Sequence, residues 1–360
     1  MTDPKLKDLR GAVQRLSSDI LDLVSQRARV VLDIAEHKRH RGQPLRDAHR
    51  ESELLEALVA KNQGPFDDAT VRTLFRGVLD ASLALMGETE RKGLKVGASG
   101  GPRVVIDVRG KTLGGGTPTY IAGPCSVESE EQMDTAARGL AALGVTWIRG
   151  GAFKPRTSPY AFQGLGEEGL KLLSAAARRH DMRTVCEATA FPNIQLVAEY
   201  CDVIQVGARN SQSFEFLREV GRMRKPVLLK RGFATTLDEW LNAAEYVALG
   251  GSEQIMLCER GIRTFATETR STLDLSIVPL ARAASRLPVC VDVSHAAGRR
   301  DILAPLSQAA FAVGADAVMI EVHPDPDAAL SDAQQQLSIE GFAALQKTVG
   351  AELRRLASQL

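Results

Sequence analysis

Residues 317–324 read AVMIEVHP. Four apolar residues run directly into a glutamate and, two residues on, a histidine, and a proline then closes the segment. The same cadence, a short apolar run ending on ionisable side chains, recurs upstream. It appears as TYIAGPCS (119–126), TWIRGGAF (146–153), RTVCEAT (183–189), DVIQVGAR (202–209), PVLLKRG (226–232), QIMLCERG (254–261) and PVCVDVSH (288–295). Each run is followed by a stretch of helical period. Eight strands alternating with helices over roughly 250 residues predict an α/β fold, a (β/α)8 TIM barrel. Ahead of them, VVIDVRG (104–110) and GKTLGGGTP (110–118) read as a strand and its turn-rich return, a hairpin that closes the barrel floor.

In such barrels the chemistry sits at the C-terminal ends of the strands. Those ends carry Cys125, Arg149, Glu187, Arg209, Lys230, Glu259 with Arg260, Asp292 with His295, and Glu321 with His323. The loop GGAFKPRTSPYAFQGLG (150–166) adds Lys154, Arg156, Thr157 and Ser158. Arg149, Lys154, Arg156, Arg209, Lys230 and Arg260 on one rim repel one another unless an anion lies between them. They exceed what one phosphate needs, so the expected substrates are phosphorylated and carboxylated. Cys125, His295 and Glu321 end the first, seventh and eighth strands, neighbours once a barrel closes. Thiolate, imidazole and carboxylate suit a divalent ion of the Mn, Fe, Co or Zn class better than Mg. Taken alone, the same residues also read as a buried thiol, a strand-end imidazole and an unrelated acid.

Residues 5–92 have another period. Leu6, Leu9, Val13, Leu16, Ile20, Leu23, Val24, Ala28, Val31, Ile34 and Ala35 recur at three- and four-residue steps. A helix of about 35 residues spans ~50 Å, too long to bury its apolar face inside so small a unit. An intertwined dimer is therefore expected. Breaks at Gly42-Gln43-Pro44 and Gly64-Pro65 separate a second helix, about 47–62, and a third that reaches Lys92, with Asp67 or Asp68 as its cap. The expected organisation is an all-α three-helix domain (1–92), a flexible linker (93–101) and the barrel (102–360).

Composition excludes other classes. With 44% hydrophobic residues the chain can bury a core, and its net charge of +1 gives no basic excess for nucleic acid. No apolar run approaches the ~20 residues of a membrane span, and MTDPKLKDLR lacks a signal-peptide core. The five cysteines show no CxxC pair, so four read as core residues of a reduced, cytoplasmic protein.

GPCS, RGGAFKPRTSPYAFQGLG, QVGARN, LLKRG, CERGIRT, VDVSH with GRRD, and EVHPDP with SDAQQQL resemble type Iβ 3-deoxy-D-arabino-heptulosonate 7-phosphate (DAHP) synthase over about 103–360. The helical half resembles the AroQ-type chorismate mutase domain fused to one branch of that family. The resemblance implies condensation of phosphoenolpyruvate with erythrose 4-phosphate, the first step of the shikimate pathway. It implies metal ligands at Cys125, His295, Glu321 and Asp332; the last would otherwise read as a helix cap. It assigns Arg149, Lys154, Arg209, Lys230 and Arg260 to phosphoenolpyruvate, and Arg156, Thr157 and Ser158 to the sugar phosphate. Glu187 is a candidate for orienting water. In the helical domain it implies a chorismate or prephenate site from Arg10, Arg27, Lys38, Asp47, Arg50, Glu51 and Ser82. Met86 stands where the family has a glutamine, and a thioether donates no hydrogen bond; weak mutase activity with retained ligand sensing follows. The implied assembly is a dimer through the helical domain, extending to a tetramer. The related 3-deoxy-octulosonate 8-phosphate synthases, which use a pentose phosphate, carry an asparagine in the lysine loop that Lys154-Pro155-Arg156-Thr157 lacks.

Two variants of this loop should separate its roles. Lys154→Ala should abolish turnover. Arg156→Ala should mainly raise the KM for the sugar phosphate, because a handle remote from the reacting carbon gives uniform binding. A defect confined to phosphoenolpyruvate binding in Arg156→Ala contradicts the assignment.

Overall fold

The computed structural model describes residues 4–41, 47–154 and 160–357. They form two compact units, one ending at Lys92 and the other beginning at Gly93. The first is all helix: α1 (Pro4–His40), α2 (Ala48–Ala60) and α3 (Asp68–Lys92). Asp47 caps α2 by accepting from the Arg50 amide at 3.0 Å. Asp67, not Asp68, caps α3 by accepting from Thr70 at 2.7 Å. The break at 42–44 lies outside the described residues. The interior is small, with Ala35, Leu55, Val71 and Met86 among its buried apolar residues. Along α1, by contrast, Leu9, Val13, Leu16, Ile20 and Leu23 are each more than half exposed within the single chain.

The second unit starts with a hairpin, β1 (Ile106–Val108) and β2 (Lys111–Leu113), paired antiparallel. Then follow β3 (Thr119–Gly123), α4 (Glu130–Ala142), β4 (Trp147–Arg149), α5 (Glu167–Arg179), β5 (Arg183–Ala188) and α6 (Phe191–Tyr200). They continue with β6 (Val203–Val206), α7 (Phe214–Arg222), β7 (Val227–Lys230), α8 (Leu237–Gly250), β8 (Ile255–Glu259) and α9 (Ile277–Ala284). The last are β9 (Val289–Asp292), a short α10 (Val293–Ala297), α11 (Leu303–Ala312), β10 (Ala317–Glu321) and α12 (Ile339–Ala357). Strands β3 to β10 close into one parallel barrel, with β10 between β9 and β3. The eight strands coincide with the apolar runs of the sequence because strands walled by helices bury both faces. Local signals set the helix starts: Ser129 caps α4, and Thr236 with Glu239 forms a reciprocal capping box on α8.

Two features position the rim and the floor. At the end of β3, Gly123 has φ +151°, and a Cβ there would sit 2.1 Å from the Arg149 carbonyl, so only glycine lets β3 and β4 approach. At the floor, Arg183 opens β5 and donates to the carbonyls of Val108 and Arg109 at 2.8 and 2.9 Å, fixing the hairpin.

The segment expected to be a flexible linker is instead fastened to the barrel unit. Lys95 and Val96 donate their amides to Glu245, Ala98 donates to the Ala284 carbonyl, and Val96 is buried. Leu94 packs on the same core, Arg286 donates to the carbonyls of Val96 and Gly100, and glycine content alone conceals these ties. None of the described helices is long and apolar enough to cross a membrane.

Candidate active site

Barrel closure brings the ends of β9, β10 and β3 side by side. Cys125 lies just past β3, Glu321 is the last residue of β10, and His295 sits in α10 directly after β9. Asp332 arrives from the loop after β10. One ligand atom from each of Cys125, His295, Glu321 and Asp332 falls within 4.8 Å of the others. Two ligands facing each other across an ion at about 2.0–2.3 Å stand at most ~4.6 Å apart, so the cluster is close to the span of one coordinated ion. Asp332 adopts a left-handed backbone with φ +46°, a conformation aspartate tolerates better than most residues. It makes no capping bond to the turn that follows. Its Oδ2 lies 3.6 Å from Cys125 Sγ and accepts from Arg270 at 3.2 Å.

Burial and neighbouring charges act on each of the four groups. Burial, with Glu321 adding to it, pushes the Cys125 thiol up to about 11, against the pull of Lys154 and Arg149. Burial pushes the His295 imidazole down, against the pull of Asp292 and Glu321. Burial raises Glu321 and Asp332, but His295 and Arg149 outweigh it at the first and Arg270 and His295 at the second, so both stay below the ordinary range. His295 Nδ1 is buried 2.8 Å from Asp292 Oδ2 but off the line of a hydrogen bond, and Nε2 is 3.3 Å from Glu321 Oε1.

Beside this cluster opens a cleft of about 340 Å³. Lys154, Arg209, Lys230 and Arg260 line it, together with Glu187, His295 and Asp332. Lys154 donates to Cys125 Sγ and to the Cys125 carbonyl, both at 2.9 Å. Lys230 is buried against Asp292 at 2.6 Å. Burial lowers the Lys230 ammonium, but Asp292 more than offsets it, so the lysine enters the cleft fully charged. Arg260 is held by Ser271 and the His295 carbonyl and lies over the Phe233 ring, 4.7 Å from its centroid. Glu187 accepts from Gln205 at 2.7 Å. A Cβ on Gly207 would meet its carboxylate at 2.2 Å, so a glycine beside it leaves that carboxylate its place.

Arg149 takes a different position. It is buried, and its Nη1 donates to the carbonyls of Pro124 and Cys125 and to Glu321 at 2.9 Å. Its Nε has no partner among the described residues. Arg149 thus braces the GPCS turn and a candidate ligand from behind. Arg156, Thr157 and Ser158 lie outside the described residues. Sequence reasoning passed over Arg263, Arg270 and Phe233, which also line the cleft. They sit in loops after β7 and β8, where position along the chain gives no direction to a side chain.

In the helical unit, Arg27 donates to Ser82 Oγ at 2.6 Å, which joins two of the expected ligand-site residues across α1 and α3. Met86 is buried one turn beyond Ser82. Lys38 and Glu51 are half-buried and Arg10 is exposed. Asp47 is occupied as a cap, and Arg50 pairs with Glu53 at 2.9 Å.

Fold and site together define a (β/α)8 enzyme whose rim joins a thiol, imidazole and carboxylate cluster to a cation-lined cleft. Residues 103–356 match the DAHP synthetase I family and residues 9–87 match chorismate mutase type II. The chain belongs to the DAHP synthetase I family, with a chorismate mutase domain preceding its barrel. It is similar to the phospho-2-dehydro-3-deoxyheptonate aldolase of Thermotoga maritima, 53% identical over 71% of this chain and 75% of that one. The crystal structure of that DAHP synthase superposes with a TM-score of 0.69, at 50% identity over 73% of this chain and 76% of the other. A 2-dehydro-3-deoxyphosphooctonate aldolase of Francisella tularensis is 32% identical over 61% of this chain and 86% of its own.

The Lys230–Asp292 pair gives a test of the site's construction. Asp292→Ala leaves a buried ammonium unpaired and should cost about 3–5 kcal/mol, read as a lower urea midpoint at unchanged m. A variant as stable as the parent means that Lys230 finds another partner.

Proposed function

We propose that the barrel condenses phosphoenolpyruvate with erythrose 4-phosphate and water to give DAHP and inorganic phosphate. The observation that carries this reading is the cation-lined cleft standing directly on the four-residue cluster. Cys125, His295, Glu321 and Asp332 would hold a divalent ion of the Mn, Fe, Co or Zn class, which when bound supplies Lewis acidity toward the aldehyde oxygen. Lys154, Lys230, Arg209 and Arg260 bind the carboxylate and phosphate of phosphoenolpyruvate, with Arg149 behind them setting the turn that carries Cys125. Arg156, Thr157 and Ser158 take the phosphate of the sugar. With both anions fixed, the enol carbon and the aldehyde carbon meet in reacting geometry, and much of the barrier falls through positioning. The new C–C bond leaves a cationic carbon that takes up water, and phosphate departs with C–O cleavage. Glu187, held by Gln205, orients that water. Phosphate release should require the four-carbon aldehyde, with arabinose 5-phosphate a poor substitute. Equal or faster release with the pentose phosphate favours the octulosonate reaction, to which the 32% identical relatives point.

The helical unit binds chorismate or prephenate through Arg10, Arg27, Lys38, Arg50, Glu51 and Ser82, with Asp47 holding the start of α2. Its ligand inhibits the barrel, since the pathway's later product then sits on its first enzyme. Met86 leaves the rearrangement with one fewer donor at the ether oxygen, so the unit senses better than it catalyses. The exposed stripe on α1 supports dimerisation of this unit, with a tetramer as the larger assembly, in a cytoplasmic enzyme. Inhibition requires the ligand to prefer an inactive arrangement. A chain starting at Gly93 should therefore remain active and ignore prephenate; inhibition that persists there excludes the helical unit as the sensor.

A further inference from the structure

Gln335 lies fully buried behind the cluster, on the short turn that follows Asp332. Its Nε2 donates to Glu321 Oε2 at 2.6 Å and approaches Asp332 Oδ2 at 3.5 Å. Its Oε1 accepts from Arg270 Nη1 at 3.1 Å, and the same Nη1 donates to Asp332 Oδ2 at 3.2 Å. Arginine has donors and no acceptor, so only the amide oxygen can face it. Arg270 therefore fixes which way the Gln335 amide points. The NH2 group is left facing Glu321, a carboxylate that can only accept.

We infer that Gln335, aimed by Arg270, is the positioning residue that makes Glu321 a one-oxygen ligand and sets the metal affinity of the site. One oxygen of Glu321 is taken by Gln335. The other, Oε1, faces Arg149 at 2.9 Å and the candidate ligand His295, at Nε2, at 3.3 Å. A carboxylate released from Gln335 would be free to rotate or to present both oxygens, and its neighbour Asp332 would lose its tie to the same bridge. Nothing in the position of Gln335 requires polarity for packing alone: a methionine fills a similar volume. The inference rests on the proposed metal site and adds residues that are not ligands themselves.

The test is metal binding to the full chain, freed of metal and titrated with Co(II) against a competing chelator. The thiolate-to-metal absorption band is followed in the same titration. Wild type should bind one ion with that band, and Cys125→Ala should lose it; a wild type that shows neither sinks the metal site itself. Given a binding wild type, Gln335→Met should weaken affinity about 10–100-fold, as removal of a ligand's hydrogen-bond partner typically does, with a shifted band. Wild-type affinity and an unshifted band in Gln335→Met overturn the inference. Arg270 is partly exposed, and Arg270→Gln serves as the second variant should Gln335→Met not fold. It should weaken binding severalfold, and affinity equal to wild type overturns the inference. In Arg270→Gln/Gln335→Met the losses should fail to add, because one residue acts through the other. Full additivity contradicts the relay.

Discussion

The pairing of β10 with β3 and β9 is the constraint on which the rest of this enzyme depends. Only when the sheet closes do Cys125 and Glu321, almost two hundred residues apart along the chain, share one point on the rim with His295. The strands make closure possible by being mostly apolar and buried on both faces, and the few polar groups inside them, such as Thr184 and Gln205, are hydrogen-bonded. Most of the charge falls at the strand ends. The same economy that stabilises the barrel thus concentrates charge where the chemistry is done.

Concentrated charge has to be kept in order. The buried rim alternates cation and anion: Arg149 against Glu321, Lys230 against Asp292, Arg231 between Glu259 and Asp274. These pairs are poor sources of net stability, since desolvation consumes much of their attraction. Their value is in fixing protonation. Asp292 is held well below the usual carboxylate range, burial notwithstanding, by His295 and Lys230. Lys230 stays charged in return. Arg231 and Glu259 brace the base of the loop from which Arg260 reaches its place, since Glu259 also accepts from the Gly261 amide. The cleft receives cations whose positions are set before any substrate arrives, and preorganised charge is what lowers a barrier in a dry site.

Much of this was legible in the sequence, and the reason is geometric. Strand ends in a barrel all point the same way, so naming the last residues of eight apolar runs already names the rim. That logic reached Cys125, Glu187, Arg209, Lys230, Arg260, His295 and Glu321. It stopped where direction is set by loops. Arg149 stands at a strand end, yet its guanidinium turns into the GPCS turn. Gln335 and Arg270 lie in segments with no period, and their partnership exists only through Glu321 and Asp332. Asp332 precedes a helical turn as a cap would, but its left-handed backbone points the carboxylate elsewhere. On α1 the long apolar stripe was plain from its spacing, and it stays exposed in a single chain because α3 covers only part of so long a helix. The docked segment at 94–100 was hidden by its glycines, because backbone hydrogen bonds leave no signature in side-chain pattern.

The central claim is that one ion binds at the closure of the barrel through a thiolate, an imidazole and carboxylates. X-ray absorption at the metal edge of the full-length, metal-loaded protein tests it without recourse to activity. The account predicts one sulfur at about 2.3 Å with the remaining ligands nitrogen and oxygen, and loss of the sulfur contribution in Cys125→Ser. A shell of nitrogen and oxygen alone in the wild-type protein would contradict it.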